Sequence, residues 1–200
     1  MNIIAIDIGT THCKAAIVDE QSNVLKTFQS PTKPIEPKPG WNEQNAEAIF
    51  HYVFRLLQQS FSVCEPNSVA CVSFSAAMHS LLPVDMQGKP LMNMLTWADL
   101  RSADYAHELK SIPEAKKLYQ ATGVPVHAMS PLCKLIWLRN EVPDIFSKTH
   151  KFISIKEYIF FRLTGEFAID HSTASATGLF DLARLTWSEE VLNYANLKTE

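Results

Sequence analysis

Apolar and polar positions alternate through the first thirty residues in three short blocks, roughly 2–7, 13–19 and 24–30, which predicts three β-strands. Two polar stretches, Asp7-Ile8-Gly9-Thr10-Thr11 and Asp19-Glu20-Gln21-Ser22-Asn23, mark the turns between them. The pattern then breaks. Pro31, Pro34, Pro37 and Pro39 preclude a helix over residues 31–44 and predict an extended loop along the surface. Asn45 reads as an N-cap, because Ile49, Phe50, Val53, Phe54, Leu57 and Phe61 follow it at helical spacing. Residues 69–74 form an apolar run interrupted at Ser73, short enough for a buried strand.

Farther along, the apolar blocks 81–84 and 91–96 bracket Asp85-Met86-Gln87-Gly88-Lys89, a hairpin signal. The pattern is helical from 102 to about 123. Leu132, Leu135, Ile136 and Leu138 place a helix over 131–140, with Pro143 stopping it soon after. Ser154-Ile155-Lys156-Glu157 has the spacing of a capping box and opens a helix to about residue 163. Thr186-Trp187-Ser188-Glu189 is expected to open a last one. Three strands, a helix, a strand and further helices predict an α/β fold with a mixed β-sheet flanked by helices.

With 46% hydrophobic and 20% charged residues, 200 residues suffice for a substantial domain with its own core. The net charge of −3, without a Lys/Arg cluster, argues against nucleic acid or an anionic membrane as partner. No apolar run approaches the length of a membrane span, and Met1-Asn2 leads straight into a strand rather than a signal region. Cys13, Cys64, Cys71 and Cys133 are scattered without metal-site spacing, so four reduced thiols in a cytoplasmic protein are expected. The seven histidines show no pair at ligand spacing on a helix. Composition leaves a homodimer open.

The chemistry concentrates at the first turn. Asp7, ending the first strand, can hold Mg²⁺ through its waters, and Gly9 admits a ligand where a Cβ would collide. Turn amides form anion nests, and Thr10 and Thr11 add hydroxyl donors, which suits the terminal phosphates of a nucleotide. Asp and Gly are also ordinary turn residues, but two successive β-branched threonines are poor turn formers. This tip resembles the first phosphate loop of the superfamily that contains actin, Hsp70 chaperones and sugar kinases, whose sheet is RNase H-like.

Two further groups follow strand ends, where α/β sheets gather ligands. Ala77-Met78-His79-Ser80 follows the strand ending at Phe74, and its imidazole can bond a hydroxyl or carboxylate; the alternative is a core histidine held by a carbonyl. Thr96-Trp97-Ala98-Asp99-Leu100-Arg101 sets Asp99 and Arg101 two apart. In an extended segment they project together as an acceptor and a forked donor for a polyol or sugar acid, with Trp97 as an apolar wall. A surface ion pair with Trp97 in the core is the equal alternative.

Here the chain resembles the FGGY family of carbohydrate kinases. Asp7-Ile8-Gly9-Thr10-Thr11 matches the family's phosphate loop, and Gly40-Trp41-Asn42-Glu43-Gln44 its segment before the first helix. Ala77-Met78-His79-Ser80 and Trp97-Ala98-Asp99-Leu100-Arg101 match its substrate-side motifs. The stretch from Met129 through Ser130, Pro131, Lys134 and Trp137 to Asn140 and Glu141 fits its long signature, in which Lys134 is the one candidate site residue. Asp170-His171-Ser172 opens another family block. Consecutive residues cannot stack as a catalytic triad, so a structural role is expected there.

The resemblance implies an ATP- and Mg²⁺-dependent kinase for a small-molecule sugar acid or sugar. Asp7, Gly9, Thr10, Thr11 and Lys14 would serve the metal and phosphates, and Met78, His79, Trp97, Asp99, Arg101 and His127 the acceptor. The substrate-side motifs are most similar to those of members that phosphorylate gluconate; xylulose, ribulose and glycerol are the alternatives within the family. A non-catalytic sugar-binding module is the alternative outside it. Residues 1–200 correspond to most of the family's first domain. The general-base Asp is expected beyond Glu200, together with a second nucleotide-holding domain, so this stretch alone is expected to be inactive.

Overall fold

The computed structural model describes residues 1–198. Strands β1 (Asn2–Ile8), β2 (His12–Val18) and β3 (Val24–Pro31) form a meander, as the alternation predicts. The Pro-rich stretch is a loop that turns at 38–41, where the Trp41 N–H returns to the Lys38 carbonyl, and it ends in the two-residue β4 (Glu43–Gln44), ahead of α1 (Ala46–Ser62). Asn45 caps α1 by accepting the Ala48 N–H at 2.9 Å. Strand β5 (Val69–Ala76) then returns beside β1 and parallel to it, giving a mixed sheet in the order β3-β2-β1-β5.

One face of this sheet is closed by α1. Ile4, Ile6 and Ile8 of β1 and Cys13, Ala15 and Ile17 of β2 are buried against Ile49, Val53 and Leu56. Burying each such aliphatic chain contributes about 1.5–3 kcal/mol. The two-residue period sends Asp7 to the opposite face, directly across from Lys14 on β2 and Ser75 on β5. Asp7 and Lys14 are both exposed there.

The strand β6 (Leu82–Val84) and Met94 of β7 (Met94–Leu95) join this first core, whereas Leu95, α2 (Ala103–Lys110), α3 (Glu114–Thr122) and α4 (Pro131–Glu141) build a second one. The chain continues through α5 (Pro143–Lys148), β8 (Lys151–Ile153), α6 (Ile155–Thr164), α7 (His171–Ser175), β9 (Phe180–Asp181), β10 (Thr186–Trp187) and α8 (Glu189–Ala195). Helix α4 is buried on every side from Pro131 to Leu138, which makes it the axis of this half.

Several expectations are corrected, some by long-range pairing and some by local breaks. The turn at 85–89 forms: the Asp85 carboxylate accepts the Gln87 and Lys89 N–H groups, and Gly88 takes φ 75°. Its flanks share the isolated bridges Leu81↔Leu95 and Val84↔Pro90 and the Leu91 N–H bond to the Pro83 carbonyl rather than a continuous ladder, however. Strand β6 makes its ladder with β8, and β7 with β4. The helix expected over 102–123 is split at Pro113, which removes a donor and opens α3. Thr186 and Trp187 lie in a strand, and α8 is capped by Ser188 instead. Asp170 caps the short α7 through the Thr173 N–H and hydroxyl and pairs with Lys156 at 2.8 Å, the structural role expected of its block.

Both halves of the capping box at α6 are present, the Glu157 carboxylate accepting the Ser154 N–H at 2.6 Å. Desolvation raises the Glu157 pKa from 4.5 to about 7. The folded state therefore keeps a proton that the unfolded chain releases, a contribution complete below pH 4.5 and lost as pH rises through about 7. Stability should fall across that window by up to about 1.4 kcal/mol per pH unit. Denaturant midpoints followed through this range should show the slope, and Glu157→Gln should flatten it; an unchanged slope in the variant would assign it to another group.

Candidate active site

The β1–β2 tip is held from its carbonyl side. The Ile8 carbonyl accepts from the Ala77 N–H at 3.0 Å, and that of Thr11 from the Thr32 N–H at 2.9 Å. The Thr10 carbonyl accepts both the Thr32 hydroxyl (2.7 Å) and the Gln44 side-chain amide (2.9 Å). Inside the turn, the Gly9 N–H donates to the His12 carbonyl at 3.0 Å. A Cβ on Gly9 would lie 2.7 Å from that same oxygen, so the turn closes only with glycine.

Ile8, Gly9 and Thr10 line one recess with Ala77, Met78, Thr96 and Trp97. The phosphate-type tip and the apolar part of the expected acceptor wall thus meet at a narrow recess of about 10 Å³, the floor of the candidate crevice. Met78 is 40% and Trp97 49% exposed, large apolar side chains left open beside it. Asp7 and Lys14 stand on the sheet face that α1 leaves uncovered.

His79 occupies the left-handed region at φ 66°, unusual for a residue with a side chain. Its Nδ1 lies 3.0 Å from the Ala176 carbonyl, an acceptor only, so Nδ1 carries the proton and Nε2 is left as an acceptor. Burial lowers its pKa and keeps the ring neutral. His127, exposed on the loop before α4, has the opposite tautomer: its Nδ1 accepts the Met129 N–H at 3.1 Å, leaving Nε2–H as a donor.

Asp99 and Arg101 do not face the crevice. Residues 97–101 turn rather than extend, with the Asp99 N–H returning to the Thr96 carbonyl, so the two-residue spacing no longer directs both side chains outward. The Asp99 side chain is 0% exposed and that of Arg101 1%. The guanidinium donates from Nε to Asp99 (2.8 Å) and from Nη2 to Glu43 (2.7 Å), and lies 3.9 Å from the Trp41 ring centroid. The other Asp99 oxygen accepts the Asn42 N–H at 2.7 Å. This pair is an internal brace tying the segment before α1 to the segment after β7.

Magnesium is usually bound through one or two carboxylates, with waters and substrate phosphates completing its shell. No cluster of three potential ligands exists among the described residues. A single exposed carboxylate, Asp7, beside a phosphate-type turn fits that hydrated mode.

Residues 2–200 match the N-terminal domain of the FGGY family of carbohydrate kinases. The chain belongs to this family. It is similar to a gluconokinase of Bacillus subtilis (strain 168), at 40% identity over 98% of the chain and 38% of the relative. Its fold is similar to a gluconate kinase from Lactobacillus acidophilus (TM-score 0.96, 34% identity, all of this chain and 40% of that one). A ligand-bound xylulose kinase from the same organism matches with the same TM-score, identity and coverage. The chain spans about 40% of the length of these relatives.

In this FGGY domain the fold is that of the sugar kinases, as the first-turn resemblance implied. Sequence reasoning missed the residues that hold the site from behind. Gln44 fixes the tip, Glu43 and Asn42 complete the brace, and the Ser80 hydroxyl accepts the Ile155 N–H at 3.0 Å. Asn42, Glu43 and Gln44 stood out only as the family-matching segment before the first helix, and Ser80 only as the end of the motif after β5, with no role read for any of them. No described helix is long and apolar enough to cross a membrane.

Proposed function

We propose that this domain supplies the phosphate tip and acceptor wall of a cytoplasmic, ATP-dependent kinase that phosphorylates a primary hydroxyl of gluconate, giving 6-phosphogluconate. The observation that carries the reading is the crevice shared by Gly9 and Thr10 with Met78 and Trp97. Gly9, Thr10 and Thr11 hold the transferring phosphoryl group by amides and hydroxyls, with Lys14 adding positive charge. Asp7 would hold Mg²⁺ through water, and the ion would supply charge neutralisation for the transferring phosphoryl group. Trp97 and Met78 cover the carbon chain. His79 accepts a hydrogen bond from an acceptor hydroxyl at Nε2, and His127 donates from Nε2–H to the carboxylate. The Asp that accepts the proton of the attacking hydroxyl lies beyond Glu200 in this reading, on the part of the protein that also closes the crevice and excludes water.

The relatives named gluconokinase support the sugar acid. A second reading, a ketose acceptor, is favoured by the equal likeness to a xylulose kinase. A panel of gluconate, xylulose, ribulose and glycerol in a coupled ADP-release assay, run on the whole protein, decides between them. Gluconate should give the highest kcat/KM. Preference for an uncharged acceptor would reject gluconate and keep the kinase, and turnover of none would reject both.

A further inference from the structure

Lysine is almost never fully buried, yet Lys134 on α4 is 0% exposed. Its ammonium donates to three backbone carbonyls, those of His79 at 2.6 Å, Thr96 at 2.7 Å and Met129 at 3.0 Å. An ammonium has three N–H donors, so this set uses them all. The three carbonyls come from three separate segments: the turn after β5, the segment after β7 and the loop before α4.

Those segments carry the acceptor side of the crevice. His79 follows Met78, Trp97 follows Thr96, and His127 lies two residues before Met129. The restraint matters most at His79, whose left-handed backbone is unfavourable for a residue with a Cβ. Its ring is held by the Ala176 carbonyl and its own carbonyl by Lys134, which together fix the direction of Nε2.

Packing alone does not call for a lysine here. The neighbouring positions Leu132, Cys133, Leu135, Ile136 and Leu138 are apolar, and another such residue would avoid burying a charge. Desolvation pulls its pKa down to about 7, with Asp99 and Arg101 acting in opposite directions, so the full set of three donated bonds holds while the amine keeps its proton, below that value. We propose that Lys134 is a positioning residue for the acceptor: one buried ammonium sets the relative placement of Met78 and His79, Trp97 and His127. The identity of the acceptor rests on the kinase reading above; the clamp itself does not.

The test uses the whole protein with Lys134→Met and Lys134→Arg. Misplacing binding groups by about 1 Å costs up to about 10²-fold. Lys134→Met should therefore raise acceptor KM by about tenfold or more with KM for ATP unchanged, since the tip is anchored by Thr32 and Gln44 instead. Lys134→Arg, whose planar fork cannot reach three convergent carbonyls, should restore only part of the loss. Hydrogen exchange read beside the kinetics should quicken at 77–80, 96–101 and 127–130 and stay as in the wild type over β1–β3. Equal loss in both KM values, uniform quickening, or no change in either readout would overturn the clamp. If Lys134→Met does not fold, the same split read on Lys134→Arg decides. If the wild-type protein prefers another sugar, the split is read with that sugar. If it turns over none, exchange at the three loops decides the clamp while the kinase reading fails separately.

Discussion

Asp7→Asn is expected to abolish phosphoryl transfer by the whole protein while leaving acceptor affinity intact. Asparagine keeps the size of the side chain and its turn propensity, so the β1–β2 tip should close as before. What changes is the charge. Asp7 is exposed on the uncovered sheet face and faces Lys14 in register, away from Met78 and Trp97 in the crevice. Removing one preorganised electrostatic partner of a transition state costs on the order of 10²–10³ in kcat, and weakening the metal at the same time should deepen the loss. ADP release measures turnover, and calorimetric titration with gluconate measures acceptor binding. Retained turnover would move the metal site elsewhere. Parallel loss of acceptor affinity would place Asp7 on the sugar side and undo the separation of roles.

The parts of this domain legible in the sequence are those fixed by near neighbours. The three-strand meander follows from alternation, α1 from Asn45 and its apolar stripe, and α6 from a capping box whose two halves lie three residues apart. The Pro113 break was local too, but the helical reading ran through it from 102 to about 123, although a proline inside a helical pattern ends or kinks the helix. Partners far away in the chain are another matter. Nothing between residues 81 and 96 announces that β6 will pair with β8, because a buried three-residue strand has no pattern that selects its neighbour. The candidate site divides the same way. The tip's glycine and threonines were readable, whereas Gln44 matters only because folding brings it to the Thr10 carbonyl. The same folding turns Asp99 and Arg101 inward, since residue spacing fixes a shared side only while the backbone stays extended.

That inward turn changes what Arg101→Ala should do. An acceptor-binding arginine would be expected to lose ligand affinity on truncation and little else. In the brace, truncation leaves Asp99 and Glu43, 0% and 9% exposed at their side chains, as buried carboxylates without their cation. It also empties the space over Trp41 and beside Trp137, whose centroids lie 3.9 and 5.0 Å from the guanidinium carbon. Removing one partner of a buried ion pair costs about 3–5 kcal/mol. Domains are stable by only about 5–15 kcal/mol in total, so the variant should be strongly destabilised. Arg101→Lys should rescue little, because a compact ammonium cannot reach both carboxylates and still stack on the indole. Asp99→Asn in the Arg101→Ala background should recover part of the loss by removing one unpaired charge. Denaturant midpoints of the whole protein measure all four states, with acceptor KM taken under conditions where each variant is still folded. Unchanged stability with a large rise in acceptor KM would return Arg101 to the crevice and disprove the brace.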